Sequence, residues 1–199
     1  MPEPEVLPRK FYSRSTVEVA KDLLGKLLVH GETAGIIVET EAYPGGEDLA
    51  SHSARGLTER TRVIFGPPGH VYVYLIYGVY ECLNIVAEPD GHAGCVLIRA
   101  IEPTEGLETM KERRPAARKK EALANGPGKL TLALGINRKN YGADVTKGPI
   151  FVCQPDRPRK FRIKTTPRIG ITHCASLPLR FLIEGNRFVS KGQFAQAGE

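Results

Sequence analysis

The chain has 199 residues, of which 41% are hydrophobic, so it can bury one sizeable core, and no shift in composition divides it. Its formal net charge of +6 excludes a strongly acidic protein, and its apolar runs fall short of the ~20 residues that a membrane-spanning helix needs. Its four cysteines lack the spacing of a disulfide framework or a zinc finger, and without a secretory segment ahead of them they predict a cytoplasmic protein.

The first part of the chain predicts a helix and then a β-hairpin. Ser15, with Glu18 three residues later, is a capping-box pattern, and Gly25 is a favourable residue for ending a helix. Apolar and β-branched runs then flank the turn residues 31–33. The predicted elements are a helix over 15–25, strands over 26–30 and 35–43, and short helical pieces over 47–51 and 58–65.

The middle of the chain is rich in β-branched and aromatic residues, which predict three strands that follow one another. The first two meet at Gly78, where a tight reversal leaves Tyr77 exposed at the tip of a hairpin. Alternation places Tyr72 and Tyr74 on one strand face and Tyr77 on the other. We expect Tyr72 and Tyr80 to pack the sheet. The predicted strands are 70–77, 79–88 and 94–102.

The remaining chain predicts helices and then short strands. Pro127 fits the first position of a helix, and short strands return from about residue 149. Because strands that are adjacent in sequence dominate, we predict a mixed α/β (α+β) fold with a largely antiparallel sheet. The chain should form one domain, residues 1–199, with short flexible termini at about 1–8 and 190–199. The predicted elements are helices over 104–114 and 126–136 and strands over 177–185 and 187–190.

Two glutamates near the end of the predicted hairpin are candidates for acid–base chemistry. Residues two apart in a strand point to the same face, so Glu39 and Glu41 share one side of it. A solvated strand face is the simplest interpretation. Glu41, however, ends an apolar strand beside Tyr43, where a carboxylate could orient and deprotonate a water.

Asn84 and Arg99 occupy the middles of two neighbouring apolar strands. A buried amide and a buried guanidinium need hydrogen-bond partners, so these residues serve either a ligand site or a structural ion pair. In the first case, Arg99 could hold a carboxylate such as Glu41 in its ionised form.

Sites for metals and phosphates are only weakly indicated. His52, Glu47 and Asp48 could form a metal site on paper, but the H-x-H or H-E-x-x-H spacing is absent, and we predict neither a metal nor another cofactor. Lys129 follows Gly-Pro-Gly at a predicted helix start, where main-chain N–H groups and a cation suit a phosphate. The G-x-x-x-x-G-K-[ST] pattern is incomplete, which argues against ATP or GTP hydrolysis.

Two segments, Lys111–Lys120 and Asp156–Arg168, each carry six basic residues and one acidic residue. Either could be a solvated face, but two on one small domain favour a polyanionic partner, because Lys and Arg displace counterions from phosphates. Four of the seven tyrosines lie within Val71–Val86. These features leave open a non-catalytic nucleic-acid-binding module that stacks bases on tyrosines, and a metal-dependent nuclease.

Four longer motifs follow one another along the chain: VETEAYPGGEDLASHSARG, VYVYLIYGVYECLNIV, CVLIRAIEP and NGPGKLTLALGI. In this order and at these separations they resemble the alkyladenine (methylpurine) DNA glycosylases. The resemblance extends from about Phe11 to Val189, which is nearly the whole chain. It implies a curved sheet surrounded by helices, with a protruding β-hairpin that inserts into DNA.

The resemblance implies an enzyme of base excision repair, which flips a damaged purine out of double-stranded DNA and hydrolyses its N-glycosidic bond, leaving an abasic site. Family substrates include methyladenine, methylguanine, hypoxanthine and ethenoadenine. The sequence marks no amine nucleophile, which predicts a monofunctional glycosylase without lyase activity. We expect a monomer, associated with the nucleoid in a bacterial cytoplasm or located in the nucleus of a eukaryote.

The resemblance also implies roles for individual residues. Glu41 matches the residue that activates the attacking water, and Arg99 matches the arginine beside it. Tyr77 matches the tyrosine that fills the place vacated by the flipped base. The residues that match the base pocket are Tyr43, His52 and Tyr74 as walls, the main chain around Ala50, and Asn84 as a filter against guanine. Candidate contacts to the DNA backbone are Arg62, Lys129, Arg168 and Arg180.

Overall fold

An eight-stranded antiparallel sheet forms the centre of the computed structural model, which describes residues 5–191. Its strands are β1 (Leu27–His30), β2 (Thr33–Tyr43), β3 (Val71–Ile76), β4 (Tyr80–Val86), β5 (Cys95–Glu105), β6 (Ile150–Cys153), β7 (Ile163–Thr166) and β8 (Arg180–Ile183). They are ordered β3-β4-β5-β2-β1-β6, with β8 beside β2 and β7 beside β8. The sheet curls into a half-barrel, which confirms the predicted α+β fold with a curved antiparallel core in one domain.

β2 is the strand around which the sheet is built. Along one edge it pairs with β5 over nearly its whole length. Along the other edge its first half pairs with β1 and its second half pairs with β8. The second half, which contains Glu39 and Glu41, is therefore hydrogen-bonded on both sides and lies in the interior of the protein.

In the described part of the chain, four short α-helices cover the sheet. They are α1 (Arg9–Tyr12), α2 (Thr16–Asp22), α3 (Leu107–Arg113) and α4 (Pro127–Leu134). α2 packs on β2 and β5, and α4 packs on β4 and β5. The core between helices and sheet is largely aliphatic and includes the fully buried Leu28, Ile37, Leu83 and Ile98. Within residues 5–191, no helix has the length and apolar character that crossing a membrane requires.

The start of α2 differs from its predicted capping box. Ser15 makes no side-chain capping hydrogen bond. Instead the carboxylate of Glu88 accepts hydrogen bonds from the main-chain N–H of Thr16 at 2.6 Å and from the Thr16 hydroxyl at 2.7 Å. A distant acidic side chain thus satisfies the exposed donors of the helix start, in place of the local cap.

The β3–β4 hairpin has the predicted tight reversal. Tyr77 and Gly78 both adopt positive φ angles, 53° and 70°, and the N–H of Val79 donates to the carbonyl of Ile76 at 3.2 Å. This is the conformation that right-handed strand twist favours in a two-residue turn. Tyr77 is 81% exposed at the tip, as predicted.

Three segments differ from their predicted secondary structure. Residues 47–51 form turns rather than a helical piece, because the Asp48 side chain accepts the N–H of Ala50 at 3.2 Å and competes with helix formation. Of residues 58–65 only Arg62–Phe65 is helical, as a single 3-10 turn. Residues 187–190, predicted as a strand, form a turn in which Asn186 accepts the N–H of Phe188 at 2.8 Å.

The described ends of the chain are held by specific contacts. Of the segments predicted to be flexible, residues 1–4 and 192–199 lie outside the described residues. The prediction is wrong for Leu7, which is 4% exposed and donates its N–H to the carbonyl of Val152 at 2.8 Å. It is also wrong for Ser190, whose N–H donates to Glu39 at 2.6 Å.

Candidate active site

Glu41, at the end of β2, is completely buried and surrounded by hydrogen-bond donors. The Tyr43 hydroxyl donates to its Oε2 at 2.9 Å, and the main-chain N–H of Ile169 donates to its Oε1 at 2.8 Å. Nη1 of Arg99 lies 3.2 Å from Oε2. A buried carboxylate needs such donors and an opposite charge, so the interpretation of this strand as a solvated face is wrong.

The same guanidinium also binds Glu39, the other carboxylate of this strand. Nε of Arg99 donates to Oε1 of Glu39 at 2.8 Å, while its Nη1 faces Glu41. Burial alone would lower the pKa of Arg99, but the charges of Glu41 and Glu39 outweigh it and raise the pKa. Arg99 is therefore a permanent cation between two carboxylates, and the predicted contact between Arg99 and Glu41 is confirmed.

Arg180 and Arg168 are buried, so the prediction that they contact DNA phosphates is wrong. Arg180 is 6% exposed and donates from Nε to Oε1 of Glu39 at 2.7 Å. Arg168 is 4% exposed and donates two hydrogen bonds to the carboxylate of Asp48, at 2.6 and 2.7 Å. Neither guanidinium is presented at the surface where a phosphate would lie.

Aromatic side chains from three parts of the chain cluster beside Glu41. The ring centroid of His52 lies 4.6 Å from that of Tyr74 and 5.9 Å from that of Tyr72. Nδ1 of His52 lies 2.8 Å from the Tyr72 hydroxyl, which fixes the orientation of the imidazole. Tyr43 packs in the same cluster. Such rings suit a flat aromatic ligand, which can stack on or between them.

The side chains of this aromatic cluster are uncharged at neutral pH. Burial lowers the pKa of His52 to about 4, with help from the positive charges of Arg60 and Arg55. Burial raises the pKa of Tyr72 to about 12. Burial and the charge of Glu41 raise the pKa of Tyr43 well above its ordinary value. The tyrosine hydroxyls therefore stay protonated and remain hydrogen-bond donors.

A cleft of about 460 Å³ opens beside the aromatic cluster, and its lining includes Ala50, His52, Arg55, Thr58, Arg60 and His173. A larger groove of about 800 Å³ runs along β1 and β6 and is lined by apolar side chains such as Leu27, Val29 and Phe151. This larger groove includes none of the predicted site residues. The smaller cleft is lined by two of the predicted pocket residues, Ala50 and His52, and its lining includes Gly170, the residue after the Ile169 whose N–H binds Glu41.

A protein-family model described as methylpurine-DNA glycosylase matches residues 10–187. The chain belongs to the methylpurine-DNA glycosylase family. A relative from Methanoculleus marisnigri, provisionally named as a 3-methyladenine DNA glycosylase, is 52% identical over 191 residues, which cover 93% of this chain and 98% of the relative. Relatives with the same provisional name from Methanocella arvoryzae and Alkaliphilus oremlandii are 52% and 48% identical. These alignments cover 94% and 93% of this chain, and 96% and 98% of the relatives.

Membership of this family confirms the predicted resemblance and makes DNA the substrate of this glycosylase. Two further predicted pocket residues lie close to the aromatic cluster. Asn84 on β4 is 2% exposed and donates from Nδ2 to the carbonyl of Tyr72 at 3.2 Å. The N–H of Ala50 donates to the carboxylate of Asp48, so this main-chain group is engaged within the glycosylase itself.

Basic residues of the glycosylase lie near Tyr80, the first residue of β4. Gly128, near the start of α4, packs so closely on Tyr80 that an added Cβ would come within 2.7 Å of the Tyr80 Cβ. Lys129 follows and is exposed. Partial burial and the charges of Arg114 and Lys191 lower the pKa of Lys129, which reflects a local group of cations. Lys129 and this group remain candidates for contacts to the DNA backbone.

Sequence reasoning missed a basic residue of the site and part of the role of a tyrosine. Arg60 donates from Nε to the Tyr72 hydroxyl at 3.2 Å, and its guanidinium lies 5.3 Å from the ring centroid of Tyr74. Arg62, predicted as a contact to the DNA backbone, is exposed and pairs with Glu59 at 3.1 Å; its contact to DNA stays a prediction. Tyr72 packs in the sheet as expected, yet its hydroxyl also contacts His52, a role that its shared strand face with Tyr74 could have signalled.

Asp48 and Ile169 were also missed. Asp48 was considered only as a metal ligand, but its carboxylate is bound by Arg168. Within residues 5–191, no group of three or more His, Cys, Asp or Glu side chains is arranged to hold a metal ion. Ile169 contacts Glu41 through its main-chain N–H, a group that every residue other than proline carries, so no side-chain pattern could have identified it.

Proposed function

We propose that this protein is a monofunctional DNA glycosylase that hydrolyses the N-glycosidic bond of damaged purines with a water activated by Glu41. The observation that carries the proposal is the position of Glu41: it is buried, paired with the Arg99 cation and adjacent to a cluster of uncharged aromatic rings. An anionic base beside a pocket for a flat ligand is what this hydrolysis requires.

In the first step the damaged nucleotide leaves the duplex. Extrusion costs a few kcal/mol of stacking and pairing, and least for a damaged base. Tyr77, at the exposed hairpin tip, enters the vacated place, and Tyr43, His52 and Tyr74 enclose the flipped purine. Stacking on an aromatic side chain contributes about 1–3 kcal/mol per base, which offsets part of the cost of extrusion.

In the second step the glycosidic bond is exchanged for a bond to water. Glu41 accepts a proton from the water as the water oxygen bonds to the sugar C1′ and the C1′–N9 bond breaks. The bonding electrons leave with the purine. Arg99 stays charged throughout and orients the carboxylate. Glu41 returns the accepted proton to solvent when the product departs. The product is an abasic site, and the strand remains intact.

The electrostatics of the pocket favour cationic lesions. A methylated purine such as 3-methyladenine or 7-methylguanine carries a positive charge, so it leaves as a neutral base without further protonation, and tyrosine rings attract it. Hypoxanthine and ethenoadenine are neutral and benefit from an acid. His52, with a pKa of about 4, is unprotonated at neutral pH and does not supply one. We therefore propose methylated purines as the faster substrates of the class.

The proposal is tested by incubating the protein, with a chelator present, with duplexes that carry a single methyladenine, hypoxanthine or ethenoadenine, and then treating them with alkali. We expect base release and strand breaks only after alkali. No release from any lesion would favour the non-catalytic nucleic-acid-binding alternative. Strand cleavage that the chelator prevents would favour a metal-dependent nuclease, and breaks without alkali would indicate a lyase.

A further inference from the structure

Asp48 lies on the loop of residues 44–51, here called the pocket loop, and forms a buried ion pair with Arg168. Nη1 of Arg168 donates to Oδ2 of Asp48 at 2.6 Å and Nη2 donates to Oδ1 at 2.7 Å, so both oxygens of the carboxylate are engaged. The side chain of Arg168 is 0% exposed and that of Asp48 is 4% exposed. A planar guanidinium bound in this two-pronged manner fixes both the distance and the orientation of its partner.

The pair connects three segments that carry predicted site residues. Through Nη1, Arg168 also donates to the carbonyl of Ala42 on β2 at 3.0 Å, and its guanidinium lies 4.6 Å from the ring centroid of Tyr43. Through Oδ1, Asp48 accepts the N–H of Ala50 on the pocket loop.

The residue after Arg168 makes the contact with the proposed base. Ile169 donates its main-chain N–H to Oε1 of Glu41 at 2.8 Å. Because Arg168 is anchored on both Asp48 and β2, the position of the Ile169 N–H follows from the ion pair. The Tyr43 ring, the pocket loop and one oxygen of Glu41 are therefore all held through the same two side chains.

We propose that Asp48 and Arg168 are positioning residues, which set the carboxylate of Glu41 and the ring of Tyr43 in the geometry needed for hydrolysis. This inference rests on the proposed function and names further residues that its site depends on. Neither residue touches the substrate; they act on the rate because a displacement of about 1 Å at a reacting group can cost a factor of about a hundred.

The test compares Asp48→Asn with the double variant Asp48→Asn/Arg168→Gln. The single variant leaves a buried cation without its partner, which lowers the stability of the fold, whereas the double variant removes both charges and keeps a polar side chain at each position. Asp144→Asn is the matched control, because it breaks the Arg9–Asp144 ion pair outside the site.

Two quantities are measured for each protein. The fraction of competent molecules is titrated with a duplex that carries a stable abasic-site analogue. The rate constant for release of methyladenine from methylated duplex DNA is measured with the protein in excess. We expect both variants to keep most of their competent fraction, and their rate constants to fall at least tenfold, while Asp144→Asn matches the wild type.

The possible outcomes separate the two proposals. Rate constants within twofold of the wild type would overturn the positioning role. So would a loss of activity that only follows a loss of competent molecules in both variants, since the pair would then be purely structural. If the wild-type protein itself releases no base from any lesion, the proposed function fails, whatever the variants do.

Discussion

Arg99 and Glu41 face each other across two adjacent antiparallel strands, with 3.2 Å between Nη1 and Oε2, in the interior of the sheet. The ion pair compensates the charge of a carboxylate that has no access to bulk water. In the proposed reaction, Glu41 can therefore act as a base although it is buried. The first two predictions concern these two residues.

Replacing Glu41 by Gln should abolish base release and keep lesion binding. The amide has nearly the same shape as the carboxylate, but it cannot take a proton from water. We expect a fall of at least about 100-fold in the single-turnover rate constant, within the range of general base catalysis. Affinity for a lesion-bearing duplex, from gel shift, should be unchanged. Glu102→Gln, outside the site on β5, is the control. Full activity of Glu41→Gln would show that Glu41 is not the base.

Replacing Arg99 by Leu should destabilise the fold. Glu39 and Glu41 are 0% exposed and would lose the cation they share, and breaking a buried pair typically costs about 3–5 kcal/mol. The free energy of unfolding is measured with urea. Arg159→Leu breaks the exposed pair between Arg159 and Glu102 and should cost no more than about 1 kcal/mol. Similar losses in the two variants would contradict the special importance of Arg99.

Replacing Tyr77 by Ala should weaken binding to a lesion-bearing duplex without changing stability. The side chain is 81% exposed and therefore contributes little to the core. Loss of one aromatic stacking contact corresponds to about 1–3 kcal/mol, or roughly 5- to 150-fold in the dissociation constant. Tyr77→Phe keeps the ring and should bind almost as the wild type does. Unchanged affinity of Tyr77→Ala would argue against insertion of the hairpin tip.

The folded protein should lose stability as the pH falls from about 6.5 towards 4. The pKa of His52 is about 4 in the folded state and has its ordinary value of 6.5 in the unfolded chain, so the unfolded chain binds more protons in this window. Above pH 6.5, His52 therefore has no effect on the free energy of unfolding. Below pH 6.5, the free energy of unfolding decreases as the pH falls. Urea unfolding at pH 7 and pH 5 should show a smaller difference for His52→Gln than for the wild type. An equal difference would contradict the lowered pKa.

The parts of the site that lie on adjacent strands could be predicted from the sequence. Glu41 and Arg99 stood out because charged residues interrupt apolar strands, where burial demands a partner. The same reasoning failed for Arg168, since a basic run looks exposed and its partner Asp48 lies 120 residues away. The prediction that Ser15 caps helix α2 was wrong for a similar reason, because Glu88 takes the place of the local cap. Local sequence patterns predict strands and helices well, but they do not show which residues far apart in the sequence come into contact in the folded protein.

The hydrogen bonds to Glu39 from Arg180 and Ser190 have a consequence for synthesis of the chain. The two carboxylates of β2 are made early, whereas donors to them belong to residues 169, 180 and 190. A nascent chain on the ribosome therefore holds its proposed catalytic base long before it can complete the surroundings of that base. The proposed excision should therefore begin only once the chain as far as Ser190 has left the ribosomal tunnel.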